Sequence, residues 1–338
     1  MKQTEAAKQQ WKQLFEVAGR IKQLKPWEYL SENDIVVIQA PERKEPIFCS
    51  VIGAGGEAFA VLVYPNFQSF SKRVQVFSHP DLPYYILAGR NDCLACNFGD
   101  RSELSPEDYN IVKDLGLKFR GKNQWIYFHS YKTGYAPWLL DSEEADVMIS
   151  ALQNFTMAFL CYAQGKLKVD FESGKILYRF YSGEKQQWFN CETDMPEIPE
   201  PVCKQVTVKD EIYMAKLRKA HKTARRIEME LFYMPTPIQE KKGERPFYPQ
   251  MCLIGDKGSG RIVGQHMLAN GEKEENVILS LLDGYIAQFG RPRSIQIRDE
   301  TVEGLIGDFC AKCDIKVEKN VSLKAIDSFA EEFLNSLA

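Results

Sequence analysis

Three groups of residues have the types and spacing to do chemistry. Cys93 and Cys96, and again Cys310 and Cys313, are spaced Cys-x-x-Cys, the spacing with which thiolates hold zinc where two such pairs meet. Between residues 120 and 138, Trp125, Tyr127, Phe128, Tyr131, Tyr135 and Trp138 crowd together with Arg120, Lys122, His129 and Lys132. Aromatic faces interleaved with cations stack flat ligands and hold phosphates, so Arg120, Trp125, Tyr135 and Trp138 are candidates for binding a peptide or small ligand. Lys216, Arg218, Lys219, Lys222, Arg225 and Arg226, with His221 among them, form the most basic stretch of the chain, a candidate grip on a phosphate backbone.

Each group also has an ordinary reading. Val302, Leu305, Ile306, Phe309 and Cys313 share one helical face with Cys310 beside it, and cysteine is among the most buried residue types. Trp125, Tyr127 and His129 alternate with the period of a strand packed on a core. Glu211, Glu228 and Glu230 flank the basic run and partly neutralise it, as on a solvated helix face. The four histidines, His79, His129, His221 and His266, lie near no nucleophile-elbow pattern, so no Ser-His-Asp triad is expected.

A chain of 338 residues exceeds one comfortable core and favours two domains. Its 44% hydrophobic and 26% charged composition is that of a globular protein. A net charge of −3 gives no global attraction to nucleic acid or anionic membrane, so such affinity needs a local patch. The opening MKQTEAAKQQWKQLF has no apolar signal region, and no stretch reaches about 18 uninterrupted apolar residues. The expectation is an unexported, cytoplasmic chain with no membrane partner, whose nine cysteines are free thiols.

The elements that would position these residues follow from periodicity. A helix is expected from Thr4 to Leu24, stopped by Pro26. Strands follow at Ile35–Ile38, Ile47–Ile52 and Ala58–Tyr64, with Ala54-Gly55-Gly56-Glu57 as a hairpin turn. Those glycines do not open a helix, as a phosphate-binding loop must. Ser105-Pro106-Glu107 starts a helix ending near Gly116, and Asp141 to Gln164 forms a long one. Two or three strands lie between Lys166 and Cys191. The prolines of residues 197–201 mark a stiff linker, and beyond it Lys209 to Leu231 reads as one helix with a packing stripe. The C-terminal segment reads ββαβαβα, from MCLIGD to a last helix over Leu323–Leu337, an α/β sheet with parallel later strands. The division is an α+β domain of antiparallel sheet and helices over 1–195, a Pro-rich linker over 196–206, and the basic helix with an α/β domain over 207–338.

Two resemblances add to this reading. WKQLFEVAGRIKQLKPWEYL, SVIGAGGEAFAVLVY, LGLKFRGKNQW and GYAPWLLDSEEA resemble an uncharacterised bacterial family common in Firmicutes, in which a second domain opens like RPFYPQMCLIGDKGSGRIVG. That resemblance implies two domains and an intracellular bacterial origin, and brings no activity. LIGDKGSGRIVG, a helix ending FGRP, and SIQIRDE distantly resemble the ribonuclease-H-like fold of integrases and junction resolvases. In such nucleases carboxylates at adjacent strand ends and on a late helix hold two divalent ions. By position the resemblance implies Asp256 as the first carboxylate, Asp299 or Glu300 as the second, and Asp327 or Glu331 as the third, with Mg²⁺ or Mn²⁺ as cofactor. That fold has three strands before its first helix and only two are evident here, unless FYMPTPI supplies another; Asp256 is also an ordinary turn residue, and Asp299 an acid at a helix start. The leading expectation is a non-catalytic binding protein with a reduced ribonuclease-H-like topology. A metal-dependent nuclease and a ligand-binding module at 120–138 stand beside it.

Overall fold

Alternation of side chains along strands and 3.6-residue spacing along helices sort this chain into layers. The computed structural model describes residues 6–78, 82–87, 90–200, 203–298 and 300–337. The chain divides into two compact units: residues 1–75, 91–133 and 137–200 form the first, and 76–90, 134–136 and 201–338 the second.

In the first part of the chain α1 (Lys8–Leu24), β1 (Val36–Gln39), β2 (Ile47–Ile52), β3 (Phe59–Tyr64) and α2 (Phe67–Ser78) are followed by a short α3 (Tyr84–Leu87). Then come β4 (Cys93–Gly99), α4 (Pro106–Asp114), β5 (Trp125–Tyr131), α5 (Ser142–Ala163), β6 (Lys175–Ser182) and β7 (Gln187–Asp194). The first unit is built on a seven-stranded sheet in the order β5-β4-β3-β2-β1-β6-β7. All its pairings are antiparallel except β1 with β6. That one parallel pair was not anticipated; the chain regains β1's direction through the 22-residue α5, which is long enough to make a crossover.

One face of this sheet, with Val36, Ile38, Cys49, Val51, Val63, Cys96 and Phe128, packs against Leu14, Ala18 and Ile21 of α1 and Met148, Leu152 and Phe155 of α5. Asp141 caps α5 by accepting from the Glu144 amide at 2.8 Å, and the Glu144 side chain accepts from the Asp141 amide at 3.0 Å, a capping box. Cys93 and Cys96 are three residues apart on one strand, so they point to opposite faces: Cys96 joins the α1–α5 core and Cys93 the other. They cannot ligate one ion together.

The second unit begins with α6 (Glu211–Arg218), β8 (Arg226–Tyr233), β9 (Gln250–Asp256) and β10 (Arg261–Met267). It continues with α7 (Glu274–Phe289), β11 (Ser294–Ile297), α8 (Glu300–Lys312), β12 (Lys316–Lys319) and α9 (Lys324–Leu337). Its sheet runs β10-β9-β8-β11-β12. The first three strands are antiparallel neighbours, and β11 and β12 run parallel to β8. The expected single helix over Lys209–Leu231 is therefore corrected: α6 stops at Arg218 and the basic run continues into a strand. Tyr213, Leu217, Ala224, Ile227 and Leu231 fit a helical stripe, but Ile227, Met229 and Leu231 fit the period of a strand equally well. Burial of Glu228 and Glu230 as well as those apolar residues marks β8 as a central strand covered on both faces. The α/β assignment stands with one strand more than ββαβαβα, and three strands before the first helix are what the ribonuclease-H-like resemblance requires.

Cys310 and Cys313 lie in the core beside Val302, Leu305, Ile306 and Phe309, and burial pushes the Cys310 thiol up to about 12. That is the chemistry of packing side chains; among the described residues no three His, Cys, Asp or Glu side chains gather as a metal cage. No helix among the described residues is long and apolar enough to cross a membrane.

All five tryptophans (Trp11, Trp27, Trp125, Trp138 and Trp188) belong to the first unit, so their fluorescence reports its unfolding alone. Phe155 is fully buried between sheet and helix. Phe155→Ala is expected to lower the stability of this unit by about 3–5 kcal/mol, read from the midpoint of urea unfolding followed by tryptophan fluorescence.

Candidate functional site

In the second unit the pairing of β8 with β9 sets Ile227 opposite Asp256, Met229 opposite Ile254, and Glu230 opposite Leu253. Paired residues share a face. Ile227, Met229, Cys252 and Ile254 accordingly pack with α7 and α8, whereas Phe232, Met251 and Leu253 pack with Leu323, Ile326 and Ala330 at and along α9. Glu228 and Glu230 alternate with Ile227, Met229 and Leu231, so both carboxylates face α9. Neither is solvated: they are 1% and 0% exposed.

Two buried carboxylates need compensation, because an unpaired charge in the interior costs several kcal/mol (about 3–5 when one partner is deleted). For Glu230 the partner is Arg298, immediately after β11, whose Nε donates to Glu230 Oε2 at 2.6 Å. The side chains are 1% and 0% exposed. The same guanidinium donates through Nη2 to Asp327 Oδ1 on the first turn of α9, through Nη1 to the carbonyl of Val321, and to the Tyr85 hydroxyl at 3.2 Å. Tyr85 in turn donates to Asp327 Oδ1 at 2.7 Å. Burial opposes the charge on Arg298, but Tyr85, Glu230 and Asp327 outweigh it and hold its pKa above the ordinary arginine value. The guanidinium thus ties a central strand, the end of its parallel neighbour and the start of the last helix into one ionic cluster.

Glu228 is satisfied differently. Its Oε2 accepts from the amides of Ala325 at 2.9 Å and Ile326 at 3.3 Å, two of the donors that a helix start leaves without a partner in the helix. The favourable end of the helix dipole faces the carboxylate. Gly255 permits this approach, since a Cβ there would stand 3.0 Å from the Cβ of Ala325.

The sequence candidates distribute as follows. Asp256 lies at the end of β9 on the α7–α8 side, where Oδ1 accepts from the Ser259 amide at 2.8 Å and Oδ2 meets Arg225 at 3.4 Å. Asp327 serves the opposite face of the sheet, so Asp256 and Asp327 do not share a site. Asp299 lies outside the described residues. Glu300 pairs with Lys319 at 2.8 Å, and Glu331 is exposed on α9. Of the expected carboxylates among the described residues, only Asp327 reaches the cluster. Its companion Glu230 was missed because Lys209–Leu231 reads as a helix, and the available signal was the strict Ile-Glu-Met-Glu-Leu alternation over 227–231; Arg298 and Tyr85 carry no local signal and join the cluster only through the fold.

The basic residues do not form one stripe. Arg218 donates to the Lys312 carbonyl at 2.7 Å, Lys222 pairs with Asp314 at 2.6 Å, and Arg225 with Asp256, its guanidinium 4.9 Å from the Phe289 ring. Lys216, Lys219 and Arg226 are exposed. In the aromatic stretch, Trp125 packs with Phe119 at 5.7 Å and lies 5.5 Å from the Arg101 guanidinium. Trp138 is half-buried, its backbone paired with Ser130, and Arg120 is exposed. Tyr135 belongs to the second unit, where it pairs with Phe247. Arg120, Trp125 and Trp138 thus belong to the first unit and Tyr135 to the second.

Among the described residues, Asp256 and Asp327, two of the carboxylates that the ribonuclease-H-like resemblance implies, serve opposite faces of the sheet and do not hold a metal pair together. The Arg298 guanidinium already bonds Asp327 together with Glu230. Arginine cannot vacate the position by losing its proton.

The profile of a domain of unknown function (DUF7309) matches residues 11–179, half of the chain, and that of a second domain of unknown function (DUF6930) matches residues 213–334. No curated protein matches the chain in sequence. Among solved structures, the HTLV-2 integrase catalytic core domain in complex with magnesium (dimeric form) is 14% identical at a TM-score of 0.25, over 35% of this chain and 74% of that one. The simian T-cell lymphotropic virus intasome in complex with PP2A regulatory subunit B56 gamma is also 14% identical at 0.25, over 36% of this chain and 43% of that one. Likenesses so slight add nothing to the strand order.

Two outcomes follow from the cluster. Arg298→Met leaves Glu230 as a buried, uncompensated carboxylate and is expected to cost about 3–5 kcal/mol, most of it recovered in Glu230→Met/Arg298→Met; far-UV circular dichroism during thermal melting checks both. Burial holds the Glu228 carboxyl above the usual 4.5 although the amides of Ile326 and Ala325 pull it down. The folded state then keeps a proton that the unfolded chain releases, so stability falls as pH rises from the ordinary glutamate pKa through the raised one. Glu228→Gln retains an acceptor for the two amides, and melting temperatures on either side of that window should show a smaller decline with pH than wild type.

Proposed function

The chain belongs to the DUF7309 family, and from that premise we propose that its second unit is a non-catalytic module that binds a partner rather than cleaving phosphodiesters. The observation that carries this reading is Arg298, whose guanidinium bonds Glu230 and also Asp327, one of the helix carboxylates that the ribonuclease-H-like resemblance implies. Two-metal hydrolysis needs carboxylates free to hold ions about 3.5–4 Å apart. Here both carboxylates are neutralised by a group that stays protonated at every physiological pH. Opening the cluster to admit a metal would strand a buried guanidinium, which costs as much as stranding a carboxylate.

The same reasoning weighs against nucleic-acid contact through the basic segment. Lys222 and Arg225 already pair with Asp314 and Asp256, so a phosphate backbone would compete with those carboxylates. Lys216, Lys219 and Arg226 are left as scattered exposed cations, a weaker electrostatic footprint than a continuous stripe.

A fluorogenic nuclease assay on single- and double-stranded DNA and RNA, supplemented with Mn²⁺, tests the proposal. Turnover no higher in wild type than in Asp327→Asn is the expected result. Mn²⁺-dependent cleavage that Asp327→Asn abolishes, in a preparation with an unchanged circular dichroism spectrum, sinks it.

A further inference from the structure

Where α1 ends, the first unit has a cleft of about 1100 Å³, just above the range of small-molecule sites (roughly 300–1,000 Å³). Its lining comes from three places: the end of α1 and the turn after it (Lys22, Lys25, Trp27, Glu28), the β2–β3 hairpin (Gly53, Phe59), and the segment entering β5 (Phe119, Lys122, Gln124). These stretches converge for identifiable reasons. Lys25 takes a left-handed conformation (φ 47°) that ends α1 and throws Trp27 towards the hairpin. Trp27 then packs on Phe59 with ring centroids 4.9 Å apart and on Phe98 at 5.3 Å. Gly53 makes room for it, because a Cβ there would lie 2.7 Å from Trp27 and 2.6 Å from Phe59. Phe119 is backed by Phe15 at 6.1 Å and Trp125 at 5.7 Å. The aromatic lining is held from behind by the core.

The charges lining the cleft are unbalanced. Lys25 pairs with Glu28 at 2.8 Å. Lys22 meets no carboxylate among the described residues: its Nζ donates to the Gln124 carbonyl at 2.6 Å and lies 5.7 Å from the centre of the Phe119 ring. Lys122 is exposed and pairs with no carboxylate among the described residues. The lining therefore carries two uncompensated positive charges on a chain whose net charge is −3. Partial burial already lowers the pKa of Lys22, so an anion beside it would relieve a cost the fold otherwise carries.

We propose that this cleft binds a phosphorylated aromatic ligand of the mononucleotide class, with the phosphate between Lys22 and Lys122 and the flat ring against Phe119 and Trp27. A phosphate monoester carries about −1.5 to −2 at neutral pH, which matches the two free lysines better than a single carboxylate does. Rigid aromatic faces beside cations suit a ring joined to an anion. The site lies wholly within the first unit and is independent of the Arg298 cluster.

Isothermal titration calorimetry of the full chain with AMP, adenosine and inorganic phosphate tests both halves of the proposal. The expected result is saturable binding of AMP, tighter than that of adenosine or of phosphate alone. Lys22→Gln/Lys122→Gln, with an unchanged tryptophan-detected urea midpoint, should weaken AMP by about tenfold or more. The proposal is overturned if AMP shows no saturable binding at millimolar concentration, or binds the double variant as tightly as wild type. It is equally overturned if adenosine or phosphate alone matches AMP.

Discussion

A guanidinium between two carboxylates holds the second unit together at its centre. Arg298 bonds Glu230 on the central strand and Asp327 on the last helix, and it can do so only because β11 runs parallel to β8 with Gln296 beside Glu228. Continuing that register by two residues brings position 298 level with Glu230, on the same face of the sheet. Alternation then directs both toward α9. Replacing the cluster by apolar residues of similar volume would be as stable or more so; what the ionic version adds is geometry. Guanidinium donors are fixed in a plane and reach Glu230, Asp327, Val321 and Tyr85 in different directions. A helix docked on such a fork has less freedom to rotate than one docked on methyl groups.

The start of α9 is specified twice over. Glu228 accepts from the Ala325 and Ile326 amides, and Asp327 Oδ2 accepts from the Leu323 amide at 3.0 Å. The two glutamates of β8 therefore divide the work: one binds the helix through its free amides, the other through the arginine. Gly255 on the neighbouring strand removes the side chain that would keep the helix at a distance. These contacts explain why β8 buries charged residues on one face and only apolar ones on the other.

Much of this was legible in the sequence, and the rest was hidden for physical reasons. The strand at Ile47–Ile52 and the helix at Glu274–Phe289 agree with the structure to the residue, because each has one dominant period and clear punctuation: a Gly-Gly turn after the strand, Gly290 after the helix. Residues 213–231 have no glycine or proline, and their apolar positions satisfy both periods, so the strand Arg226–Tyr233 read as helix. With it went Glu228 and Glu230. Asp256 drew attention instead because the ribonuclease-H-like resemblance matches it by position, yet its carboxylate serves the turn, accepting from the Ser259 amide. Arg298 had no local signal, since its meaning depends on register between strands more than sixty residues apart. The cleft of the first unit was half visible: Phe119, Lys122 and Gln124 adjoin the aromatic stretch, but their partners on α1 lie about a hundred residues earlier in the chain.

Arg298 in the second unit and Lys22 in the first hold positive charge in opposite ways, and the difference bears on function. In the second unit Arg298, Arg225 and Lys222 are each matched to carboxylates within the fold, so their charge organises structure and offers little to a ligand. In the first, Lys22 is directed to a carbonyl and an aromatic ring, neither of which neutralises it. A hydrogen bond to a carbonyl fixes the position of an ammonium group while leaving its charge in place. Binding an anion gains most from such a cation, because the side chain is already ordered and less conformational entropy remains to be lost. Glu28, the carboxylate of the lining, is taken by Lys25 at 2.8 Å beside the left-handed turn that ends α1, so Lys22 and Lys122 keep their charge facing the cleft.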